Sequence, residues 1–271
     1  MVDEYLKFSK PAELGQFNVV SYDYSWSDFG GYPAVIKNLQ VWIDILNKPS
    51  FSNSLNLNNI KESSIPLESD YTNNATNLIN GIDVPRGLLL YGPSGCGKSL
   101  LAKICSSLLN RKVIVLDLSH LYSEFWGQSE KFIRNLFENA RNSIIIIDNI
   151  ESVSINRSDT ENGQLENTAE SRVLSSLLNE LDGVGNNYNL DTNEAPIVIA
   201  TTNKFEQVDA ALTRPGRFDR QVEISLPDQN DRLQILNLLI SKVARSPNID
   251  LEYISKMTDG YSGSQICKLF R

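Results

Sequence analysis

Apolar positions along the chain fall into two kinds of run, and their alternation predicts the architecture. Short, largely apolar stretches, Gly87 to Tyr91, Val113 to Leu118, Ser143 to Asp148, Ile197 to Thr202 and Val222 to Leu226, read as strands. Between them apolar residues recur every three or four positions, as on one face of a helix. Leu100, Leu101, Ile104, Leu108 and Leu109 form one such set; Phe132, Ile133, Leu136 and Phe137, within 129–141, form a second. A third runs through Val173, Leu174, Leu177, Leu178 and Leu181 and is expected to close at Asp182-Gly183. An earlier helix carries Val35, Ile36, Leu39, Trp42, Ile43, Ile45 and Leu46 and stops before Pro49. Strands alternating with helices predict an α/β fold with a doubly wound, parallel five-stranded sheet.

Only helical signals remain after Asp231: Leu233, Ile235, Leu236, Leu239 and Ile240, then 251–257, then 264–271. They predict a small helical domain over 228–271, cut in mid-pattern, as in a fragment of a longer protein. The large α/β domain is expected over 25–227. Residues 1–24 show no sustained period and read as an arm or linker remnant. Residues 50–80, rich in Asn and Ser, read as a polar low-complexity insertion on a mobile surface loop.

Candidate chemistry concentrates at Gly92-Pro93-Ser94-Gly95-Cys96-Gly97-Lys98-Ser99, which fits G-x-x-x-x-G-K-[ST] and lies between a predicted strand and a predicted helix. Glycines let backbone N–H groups turn inward around a phosphate, and a helix N-terminus adds unsatisfied donors and positive potential. The motif is a phosphate-binding P-loop, with Lys98 reaching the outer phosphates and Ser99 holding magnesium. Asp148, at the end of a strand apolar enough to be buried on both faces, supplies the carboxylate that orders the metal opposite Ser99. Asn203 ends the neighbouring strand, where its amide can orient a water or touch the outer phosphate.

Composition narrows the class. The 271 residues carry a net charge of −8, which argues against a nucleic-acid backbone as the main partner. Three cysteines, Cys96, Cys105 and Cys267, form neither a disulfide framework nor a zinc pattern. This fits a reducing compartment, cytosolic or nuclear. No apolar run approaches the length of a membrane span, and the first residues carry no secretory pattern.

From Trp26 to Arg271 the chain resembles an AAA-family ATPase module, of the subgroup that includes valosin-containing-protein-like, peroxisome-biogenesis and ribosome-maturation ATPases. Gly92 to Ser99 resembles the family's Walker A loop, Ile144 to Asp148 its Walker B strand, and Ile199 to Asn203 its sensor-1 strand. Ala210 to Arg220 resembles the second region of homology. The resemblance implies ATP or ADP with Mg2+. The nucleotide would be cradled by Pro93, Ser94, Gly95, Cys96, Gly97, Lys98, Ser99 and Leu100, with Asp28, Phe29 and Gly30 of the lead-in segment 27–31 along the adenine. Gly263 and Ser264 of the lid would approach the base and ribose.

The same resemblance makes Arg214 and Arg217 arginine fingers that act on the next subunit's nucleotide. It makes Phe125, Trp126 and Gly127 a pore loop that grips an extended polypeptide. The implied assembly is a homo- or hetero-hexamer of like subunits that remodels or unfolds protein substrates, with adaptor proteins as further partners. Against the family pattern, Asn149 stands where a glutamate follows the Walker B aspartate and activates the attacking water. An amide cannot take up a proton as a carboxylate does. Glu151 lies two residues on, at a position commonly acidic in the family, and is no obvious substitute: an extended chain would put it on the same face as Asn149, whereas a helix would turn it away. Two readings therefore stand: a hydrolysing remodelling motor, and a nucleotide-binding module that hydrolyses weakly and scaffolds a larger ring. A clamp-loader or nucleic-acid motor is disfavoured by the acidic balance and the polypeptide-type pore loop.

Overall fold

A computed structural model describes residues 19–47, 85–118, 129–153, 169–186, 195–242 and 250–269. The expectations for most of the N-terminal arm, the Asn-rich insertion, and Phe125, Trp126 and Gly127 of the pore loop lie outside these residues.

The apolar strands do form the centre. Among the described residues there is a six-stranded sheet built from β1 (Val19–Val20), β2 (Gly87–Tyr91), β3 (Lys112–Asp117), β4 (Ser143–Asp148), β5 (Ile197–Thr202) and β6 (Arg220–Glu223), in the spatial order β1-β3-β4-β5-β2-β6. All neighbours pair in parallel except β1, which runs antiparallel along the edge of β3, Val19 opposite Ile114 and Val20 opposite Val113. This sixth strand corrects the expected five. It comes from the segment read as an arm, and two residues are too few to show a period in sequence.

Seven helices surround the sheet among the described residues: α1 (Pro33–Asn47), α2 (Lys98–Leu108), α3 (Ser129–Asn139), α4 (Ala169–Asn186), α5 (Gln229–Ser241), α6 (Leu251–Met257) and α7 (Gly263–Lys268). Successive strand residues point to opposite faces. Ile145, Ile147, Val198 and Ala200 pack with α3 and α4, whereas Ile144, Ile146, Ile197 and Ile199 pack with α1 and α2. Strands β4 and β5 therefore bury both faces, which explains their continuous apolar character. Trp42 of α1, fully buried, donates its indole N–H to the carbonyl of Pro85 at 2.8 Å, tying α1 to the approach of β2.

Two boundaries differ from the sequence expectation. Helix α4 continues through Asp182-Gly183 to Asn186. A helical glycine costs only about 1 kcal/mol relative to alanine, which tertiary packing overrides. Strand β6 begins at Arg220 and ends at Glu223, ahead of the expected 222–226, because its ladder is set by pairing with Leu88 to Tyr91 rather than by its own apolar residues.

Helix α5 and the segments around it are fastened together by polar contacts. Asp231 of α5 accepts from the Tyr32 N–H at 2.6 Å, and the Tyr32 hydroxyl donates to the Ser225 carbonyl at 2.9 Å. Arg232, buried, donates to the carbonyls of Pro227 and Ser255 and pairs with Asp259 at 3.2 Å, joining α5 to α6. Trp42→Ala removes a fully buried ring and the Pro85 bond together. It is expected to destabilise the protein by about 3–5 kcal/mol, measured by urea unfolding.

Candidate active site

Parallel register brings three strand ends to one edge. Tyr91 stands opposite Thr202, Ile147 opposite Ala200, and the segments that follow, Gly92, Asp148 and Asn203, emerge together at the carboxyl ends of β2, β4 and β5. In open α/β sheets this edge is where ligands bind.

The phosphate-binding loop leaves β2 and enters α2 with Gly97 as N-cap, at φ 98°. A side chain there would be strained, and its Cβ would meet the Phe29 ring at 2.7 Å. Gly95, at φ 80°, is equally constrained: a Cβ would lie 2.2 Å from the Ser264 hydroxyl. The loop is thus pressed between Phe29 on one side and Ser264 of α7 on the other. The Ser264 N–H donates to the Gly95 carbonyl at 2.9 Å, and Gly263 lies over the same carbonyl. Residues expected from opposite ends of the chain to flank a nucleotide, Phe29, Gly95, Gly97, Gly263 and Ser264, are therefore brought together.

Lys98 is buried, its ammonium donating to the carbonyls of Gly92 at 2.8 Å and Pro93 at 2.7 Å. These two bonds hold the amine over the loop and leave a third proton to donate. Burial lowers the Lys98 pKa, while the charges of Cys96, Glu151 and Asp148 work the other way. Cys96 is buried beneath the loop beside Tyr32, and desolvation pushes its thiol up. Pro93 and Ser94 are exposed at the rim, and Leu100 packs into the core below.

Beside the loop, the Ser99 hydroxyl donates to the Asp148 carboxylate at 3.0 Å, and the Thr201 hydroxyl donates to the same oxygen. Thr201 in turn accepts from the Asn149 N–H at 3.3 Å. Asn149 sits in the left-handed region, φ 54° and ψ 56°, a conformation asparagine tolerates better than most residues. The Asn203 side-chain amide donates to the Asn149 carbonyl oxygen Oδ1 at 3.3 Å. After Asn149 a single 3-10 turn, Ile150–Ser152, swings Glu151 back, so that its Oε1 accepts from the Asn203 N–H at 3.4 Å. Although a helical turn follows, Glu151 is not turned away: the left-handed residue reverses the chain before the turn begins.

The donor set fits the group that the P-loop implies. Lys98, Ser99 and Leu100 form the first helical turn, whose N–H groups have no intrahelical acceptor. One hydroxyl and one carboxylate, Ser99 and Asp148, suit magnesium, which keeps waters and phosphate oxygens for its other positions.

A sequence model of the ATPase family associated with various cellular activities (AAA) matches residues 88–226. The chain belongs to the AAA family. It is similar to the cell division cycle protein 48 homolog of Archaeoglobus fulgidus, 38% identical over 69% of this chain and 24% of that protein. Similarity to the ATPase family gene 2 protein of Saccharomyces cerevisiae, 31% identical, covers 98% of this chain and 31% of that protein. The proteasome-activating nucleotidase of Saccharolobus solfataricus is 39% identical over 69% of this chain and 46% of its own length. The chain thus spans from about a quarter to just under half the length of these AAA relatives.

Other expected site residues are placed differently from one another. Asp28 spends its carboxylate on the Ser25 N–H at 3.1 Å and on Lys242 at 3.3 Å, closing a turn and tying it to the end of α5; those contacts hold its pKa down. Gly30 lies against the backbone of Ile235, where a Cβ would approach to 2.8 Å. Of the two arginines, Arg214 is exposed, whereas Arg217 is gripped by Asp182 through two bonds, Nε at 2.6 Å and Nη2 at 2.8 Å, and also bonds the Ala211 carbonyl. Asp182 was legible in sequence only as a helix terminator, and Thr201 only as part of a strand. Their roles come from partners 35 and 53 residues away.

Two outcomes follow. Lys98→Ala should abolish binding of a fluorescent ATP analogue, since the amine is held over the loop by Gly92 and Pro93. The hydrogen bond from Arg217 holds the Asp182 pKa below its ordinary value. The pair's stabilisation is therefore complete above the unfolded-state value of about 3.9 and is lost as pH falls through the lower folded value. Asp182→Asn should flatten the acid limb of stability against pH, followed by urea midpoints between about pH 5 and pH 2.

Proposed function

We propose that this chain is an ATP-binding and hydrolysing module that works in a homo- or hetero-hexameric ring and couples nucleotide state to the remodelling or unfolding of protein substrates. The observation that carries this reading is the joined cradle: Lys98 over the loop and Ser99 on Asp148, at the edge where Asn203 also emerges. Likeness to a proteasome-activating nucleotidase and to a cell division cycle protein 48 homolog supports the assignment to protein substrates. Adaptor proteins would supply what the module lacks in selectivity. Among the described residues no helix is long and apolar enough to cross a membrane. The unpaired cysteines favour a reducing compartment, cytosolic or nuclear.

ATP would lie on the N–H groups of Gly95 to Leu100, with Gly263 and Ser264 closing over it and the segment of Asp28, Phe29 and Gly30 beside the base. Magnesium, when bound, neutralises charge between the outer phosphates and orients them for in-line attack. Lys98 stabilises the phosphoryl oxygens, Ser99 and Asp148 hold the metal, and Asn203 orients the attacking water. Arg214, exposed on its loop, supplies an always-charged guanidinium to a neighbouring subunit's site, and Arg217 anchors that loop through Asp182. The reading leaves Phe125, Trp126 and Gly127 as the substrate-gripping loop.

Asn149 favours a second reading, a hydrolysis-deficient module that binds ATP to hold a larger AAA assembly together. An amide at this position binds as well as a carboxylate but cannot act as a base. Phosphate release measured with and without the assembled ring separates the two. A motor shows turnover that rises on assembly, whereas a scaffold shows binding without turnover in either state. In a motor with no other general base, Asn149→Glu should raise turnover at least about tenfold, part of the range general-base assistance spans; an unchanged rate would mean that position 149 does not limit the chemistry.

A further inference from the structure

Glu151 is the carboxylate in this site whose bonding is incomplete. Its Oε1 receives one bond, from the Asn203 N–H at 3.4 Å. Its Oε2 is sealed from solvent and has no hydrogen-bond partner among the described residues. Ionised carboxylates accept up to four bonds, and buried ones are ordinarily paired or fully bonded. Asp148, by contrast, is occupied by the Ser99 and Thr201 hydroxyls. A purely structural role is poorly served by a charge here: a glutamine would accept from Asn203 equally well without burying an unpaired ion.

The placement is as informative as the bonding. Asn203 bonds both residues at once, its side-chain amide to Asn149 and its backbone N–H to Glu151. The negative charge of Glu151 also acts on Lys98, beside that of Asp148. Glu151 thus shares one connected cluster with the residue that replaced the glutamate, the water-orienting Asn203 and the phosphate-binding lysine.

We propose that Glu151 is the general base of this module, in place of a carboxylate at position 149. The inference rests on the nucleotide-hydrolysing reading above. The water oxygen forms a bond to the γ-phosphorus while its proton passes to the Glu151 carboxylate. The bond between the γ-phosphorus and the β–γ bridging oxygen breaks, and its electron pair leaves with ADP. Glu151 then returns the proton to the released phosphate or to solvent, so no further reactant is needed. Asn149 serves by holding Asn203, and through it the carboxylate, in place.

The test compares the wild-type protein with Glu151→Gln, Glu151→Asp and the double variant Asn149→Glu, Glu151→Gln. Three readouts apply: phosphate release at saturating ATP, affinity for a fluorescent ATP analogue, and melting temperature without nucleotide. Glu151→Gln should lose about 10²-fold or more in turnover, with affinity within about twofold and an unchanged or higher melting temperature once the unpaired charge is gone. Glu151→Asp, which withdraws the carboxylate by one methylene, should lose most of the rate as well. A glutamate restored at 149 should return at least about tenfold of the rate lost by Glu151→Gln.

Glu151→Gln turning over at the wild-type rate overturns the proposal. So does a loss of turnover accompanied by a matching loss of affinity or stability, which marks a structural role. Wild-type protein that binds ATP without hydrolysing it also overturns this inference and leaves the binding module standing. Failure to bind ATP overturns the function proposed above instead.

Discussion

The Asp148 carboxylate is the joint on which the site depends. Through one side chain it ties the start of α2, by way of Ser99, to the end of β5, by way of Thr201, while its own backbone closes β4. A carboxylate partly withdrawn from water is best tolerated when its lone pairs are used, and here two hydroxyls use them. The same bonds that satisfy it hold the phosphate-binding loop in register with the strand carrying Asn203.

Around that joint the fold presses three unrelated segments together. Phe29 lies under Gly97, Ser264 bonds Gly95, and Tyr32 is clamped by Asp231 and Ser225. Helix α7 is therefore attached directly to the loop that would carry phosphate, through contacts made only where glycine leaves room.

Asn149 shows how local backbone and chemistry can share one position. Its left-handed conformation is one that asparagine adopts readily, and that reversal of the chain returns Glu151 toward Asn203. Beside Asp148 the site therefore holds a second carboxylate, on the turn that follows Asn149. Arg217 shows the opposite economy, since a residue matching a family finger is committed within the chain to Asp182.

Sequence by itself determined the strands from Gly87 to Thr202, the helices on either side, the phosphate-binding loop and Asp148. Each of these is written in a contiguous pattern: unbroken apolar runs for strands buried on both faces, a helical period, or a motif with fixed spacing. Val19–Val20 was too short to carry a pattern, and β6 took its bounds from β2. Glu151's return to the site, Arg217's capture by Asp182 and Thr201's bond to Asp148 were decided only by tertiary structure. Those contacts depend on one left-handed residue and on strand register, neither of which a linear reading of residue types contains.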